Sequence, residues 1–97
     1  MEETKGKDAY LMELERRVET LQEDVRVLGA QIEKGPEEGK ERFAEMRRTV
    51  DRKRDEIQRR LQEARERSDR AWTELKAGLD VAWRELRDAT ERAKRHF

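Results

Sequence analysis

The sequence predicts an all-α protein: an antiparallel helical hairpin, paired as a coiled coil, with an extended C-terminal helix that joins copies into an oligomer. Three observations carry this expectation. Apolar residues between positions 11 and 32 follow a 3-4 spacing. The cluster GPEEG interrupts the chain at residues 35–39. Two tryptophans recur eleven residues apart near the end of the chain.

Composition sets the frame. Charged residues make up 49% of the 97 positions and hydrophobic residues 33%. That is too little apolar surface to feed a core from all sides, and it suits helices that each bury one stripe. Disorder is the competing reading for so polar a chain, and periodicity decides against it. There is one proline, and strong helix formers dominate. The absence of cysteine excludes disulfides, thiolate metal sites and cysteine nucleophiles. The opening MEETKGKDAY is polar and mixed in charge, unlike a signal peptide. No apolar run approaches the ~20 residues that span a bilayer. The expected location is the cytoplasm.

Residues 1–7 are expected to form a disordered tail. Helix 1 is expected over 8–34, with Asp8 as its N-cap. Its seam is Leu11, Leu14, Val18, Leu21, Val25, Leu28 and Ile32, a period of 3.5. Residues 35–39 form the turn. There Gly35 closes helix 1 in a left-handed conformation, and Pro36, Glu37 and Glu38 suit the start of the next helix.

Helix 2 is expected to run without interruption over 40–97. Its apolar positions Phe43, Met46, Val50, Ile57, Leu61 and Ala64 can face helix 1. In an antiparallel pair, opposed residues have a nearly constant index sum. Ile32 with Phe43, Val25 with Val50, Val18 with Ile57 and Leu14 with Leu61 all sum to 75. Leu21 alone faces a polar residue, Lys53, whose alkyl stem can cover it. Charge agrees with the pairing: residues 1–34 balance to −3 and residues 40–70 to +4. Acid–base pairs four residues apart, such as Glu56 with Arg60 and Asp80 with Arg84, support an exposed helix.

The hairpin partner runs out near residue 67, leaving 68–97 as an overhanging arm. Its large apolar residues are Trp72, Leu75, Leu79, Trp83, Leu86 and, after a gap at Thr90 and Lys94, Phe97. An eleven-residue repeat is 3.67 residues per turn, so the stripe stays on one face of a straight helix. Ala71, Gly78, Ala82, Ala89 and Ala93 form a second, small-residue stripe that admits another backbone. Six large side chains represent on the order of 9–18 kcal/mol of transfer free energy, so this face is an expected interaction surface. Self-association is the first expectation, giving a homo-oligomer. A membrane or lipid surface is the second, because lipid-surface helices also use such repeats. Against it stands a polar face of mixed charge. A separate protein partner is the third.

Other chemistry finds little support. The stretch RRTVDRKRDEIQRR at residues 47–60 is rich in arginine, but Asp51, Asp55 and Glu56 interrupt it, so nucleic-acid binding is not expected. The sole histidine, His96, adjoins the last residue and reads as a helix-end cation. No spacing of catalytic, metal-ligating or phosphate-cradling residues is present. The expectation is a protein that is not an enzyme, with no cofactor and no metal.

The stretch DAYLMELERRVETLQEDV and the C-terminal AW-x-ELK-x-G-x3-AW-x-EL-x2-A-x3-A-x3-F together resemble a family of small bacterial coiled-coil proteins. That family is named for a cyanobacterial stress-response protein. The resemblance spans nearly the whole chain, and the Arg-rich residues 47–70 depart from it. It implies a soluble, non-enzymatic, stress-associated bacterial protein and carries over no catalytic residues.

Overall fold

A computed structural model describes residues 2–67 and 69–97, with side chains described for 6–67 and 70–97. Met1 and Ser68 lie outside the described residues. The chain is all-α. Its elements are α1 (Glu2–Glu33), α2 (Glu37–Glu66), a single 3-10 turn (Asp69–Ala71) and α3 (Trp72–His96). They form an up-down-up bundle of 54 × 19 × 16 Å. The N-terminal part of α1 lies beside the end of α2 and the start of α3. There Lys7 reaches the Arg67 carbonyl and Tyr10 reaches Trp72. At the other end Asp24 of α1 meets Lys94 of α3, and Phe43 of α2 meets Phe97.

Several expectations are corrected. The disordered tail over 1–7 and the N-cap at Asp8 do not hold for residues 2–7, which are already helical. Lys7, placed in that tail, is buried. At the turn, Gly35 is not left-handed, since no described glycine has a positive φ. Three-residue hydrogen bonds close α1 instead, from the Lys34 N–H to the Gln31 carbonyl (3.3 Å) and from the Gly35 N–H to the Ile32 carbonyl (2.9 Å). Pro36 stands just before the helix, and its carbonyl accepts from the Gly39 and Lys40 N–H groups. Glu37 and Glu38 occupy the first turn of α2, where the helix dipole favours acids.

The largest correction concerns 40–97, which is not one helix. The chain leaves the α-helix at Arg67, with φ −89° and ψ 156°, and α3 folds back along α2. A two-helix hairpin leaves its apolar seam open on one side, and α3 closes that side. Burial of its face offsets the few helical hydrogen bonds lost at the break.

The core contains Leu11, Leu14, Val18, Val25 and Leu28 of α1, and Phe43, Val50, Ile57, Leu61 and Ala64 of α2. Leu21, Ile32 and Met46 are half-buried against it. The contribution of α3 is Leu79, Ala82, Leu86, Thr90 and Ala93.

Candidate interaction site

The expected interaction face of α3 is used inside the chain. Leu79 and Leu86 are fully buried, while Trp72, Leu75 and Trp83 pack half-buried against the core. Phe97 remains 38% exposed at the end of the bundle, its ring edge-on to Phe43 at 5.9 Å. The stripe facing inward is therefore not centred on the tryptophans. It follows Leu75, Leu79, Ala82, Leu86, Thr90, Ala93 and Phe97, whose spacing of four and three is that of one straight-helix face. Thr90, read as a gap, is fully buried, and its hydroxyl donates to the Leu86 carbonyl at 2.9 Å. That bond removes the cost of a buried hydroxyl.

The tryptophans flank this stripe on the side of α1, where they build an aromatic seam. The Tyr10 ring meets Trp72 edge-on, with centroids 5.3 Å apart. The Arg17 guanidinium lies 5.9 Å from the Trp83 ring centroid, and the Lys76 ammonium 5.3 Å from that of Tyr10. The Tyr10 hydroxyl donates to Asp80. Burial pushes the phenol well above its ordinary range, and the hydrogen bond and negative charge of Asp80 push it further. Farther along, Lys94 reaches Asp24 at 3.2 Å.

The side of α3 toward α2 is built differently. Ala82 and Ala93 are buried there, and small residues permit close helix approach. Lys53, expected to cover Leu21, pairs with Glu85 at 2.6 Å. At Gly78 the space a side chain would fill is taken by the Arg60 guanidinium, whose Nη1 lies 2.8 Å from the position of a Cβ. The glycine admits a flexible side chain rather than a backbone. Arg60 itself is held by Glu56 at 2.9 Å. Glu15 of α1 and Arg65 of α2 form a further ion pair between helices.

The break after α2 has its own clamp. Ending the helix at Arg67 leaves its carbonyl without the backbone donor that a continuing helix supplies. The Lys7 ammonium donates to that carbonyl at 2.8 Å, placing a cation at the negative end of α2.

Carboxylates elsewhere stand at the surface among arginines. Hydrogen bonds from Arg26 to Glu23, and from Arg59 and Arg60 to Glu56, hold both carboxyls below their usual range. This favours the ionised form and disfavours a proton-donating role. His96 ends α3 beside Lys94 and Arg95, where a cation suits the dipole. Among the described residues, no group of three or more His, Asp or Glu could hold a metal ion. No helix among them is long and apolar enough to cross a membrane.

Nothing in the sequence marks Tyr10, Arg17 or Asp80 as partners, because each depends on α3 lying beside α1; Lys7 was hidden because its bond needs the chain to leave the helix at Arg67. One signal was present for Thr90, which falls in step with Leu79, Leu86 and Phe97. Comparisons with protein-family models, curated proteins and solved structures find no match for this chain.

Proposed function

We propose that this chain is a non-enzymatic structural protein that associates with copies of itself through the tryptophan-bearing face of α3. The observation that carries the reading is the construction of that face. Its centre, Leu79 and Leu86, is fully buried in a groove between two other helices, while Trp72, Leu75 and Trp83 remain half-exposed at the edge. A surface that docks so completely into an α1/α2 groove is complementary to the same groove on any other copy. The chemistry of the remaining surface supports association over catalysis, since its carboxylates are ion-paired and solvated. The stress association implied by the family resemblance, and a cytoplasmic location, belong to the same reading.

Light scattering on the wild type and on Trp83→Asp tests it. Oligomers present in the wild type should be lost in the variant while helical circular dichroism persists. Oligomers of unchanged mass in a folded variant would refute the role given to this face.

A further inference from the structure

We propose that two copies of the chain exchange α3, the junction straightening at Arg67 so that α3 of each copy fills the α1/α2 groove of the other. The inference rests on the self-association reading above and adds how the copies engage.

The junction is close to helical on both sides. The Arg67 N–H still donates to the Glu63 carbonyl at 3.1 Å, and Ala71 has φ −84° and ψ −4°, within the right-handed helical region. The departure at Arg67 is in ψ, at 156°. Rotation of that angle toward about −40° returns the residue to an α-helix. Ala71 gives the start of α3 no side-chain cap, so straightening forfeits none there.

The contacts of α3 survive exchange. Leu79 and Leu86 enter an identical groove, and Tyr10 with Asp80, Asp24 with Lys94, and Lys53 with Glu85 re-form between copies. The balance is then set by the junction and by the entropy of association, the condition under which domain exchange is cheap.

Lys7 holds the closed form. Its ammonium donates to the Arg67 carbonyl, which in a straight helix would accept from the backbone four residues on. Straightening therefore breaks this bond, and Lys7 acts as a positioning residue for the bend.

The chain has no cysteine, so spin labels can be attached at Arg48→Cys and Glu91→Cys, both exposed. Lys53 opposite Glu85 sets the register of α2 against α3, and it puts 48 and 91 side by side in the closed bundle. Their backbones are then about 10 Å apart. In a continuous helix the 43 residues between them span roughly 65 Å. Labelled chains are mixed with excess unlabelled chains in denaturant and refolded together over a range of concentrations, which isolates the distance within one chain. The expected result is a long distance that appears together with dimer mass. Lys7→Met should raise its fraction several-fold. Ser68→Pro, which forces residue 67 to stay extended, should remove it. A dimer showing only the short distance would overturn exchange and leave self-association standing. Monomer mass at every concentration would overturn the self-association reading and exchange with it.

Discussion

Leu79 and Leu86 show how much of the bundle rests on single side chains. Both are fully buried, each in contact with a core built by the other two helices. Leu79→Ala is expected to destabilise the fold by about 2–5 kcal/mol, read as a lower midpoint in urea unfolding. Tyr10 adds a pH dependence. Its folded-state pKa is raised above the unfolded value, chiefly by burial and then by Asp80. The folded state therefore favours the protonated phenol. That stability is fully present below the ordinary tyrosine pKa of about 10 and is lost as pH rises through that value toward the folded one. Unfolding midpoints should fall between pH 9 and 11 in the wild type and fall less in Tyr10→Phe. Equal losses in the two proteins would show that Tyr10 does not carry the effect.

At the scale of the helices, each turns one apolar stripe inward, and the ends are set by few residues. The connection at 34–36 uses Pro36 and two three-residue hydrogen bonds. Helix α3 meets its two neighbours in different ways, through aromatic and cationic side chains toward α1 and through alanines toward α2. Gly78 lies on the second side, yet only the end of Arg60 meets a Cβ placed there. The guanidinium can swing outward, so Gly78→Ala is expected to stabilise the protein by about 0.5–1 kcal/mol through helix propensity. Thermal unfolding measures this directly; a lower melting temperature would mean that Arg60 is held more firmly than its half-exposed side chain indicates. Surface pairs such as Lys53 with Glu85 help to fix register and add little stability, roughly 0–1 kcal/mol each.

For the whole molecule, the all-α class and the helix-breaking cluster near Pro36 were legible in the sequence, because heptad spacing and a glycine-proline cluster act locally. The seam from Leu11 to Ile32 and its opposite positions from Phe43 to Ala64 lie in the core or against it. What stayed hidden was the turn at Arg67. No glycine or proline marks it, and the ion-pair spacing of Glu63 with Arg67 and Glu66 with Arg70 favours a helix straight through. The decision is tertiary: the exposed stripe of α3 has a groove within reach on its own chain. The aromatic seam was hidden for the same reason, since Tyr10 and Trp72 are distant in sequence. An apolar face read as an overhang thus becomes the third side of a bundle, and the proposed exchange would seat the same face in the groove of a second copy. Sedimentation equilibrium of the unmodified chain tests that account most directly. The predicted result is a mass that rises with concentration from 11.7 kDa toward twice that value. A constant 11.7 kDa across the whole range would contradict it.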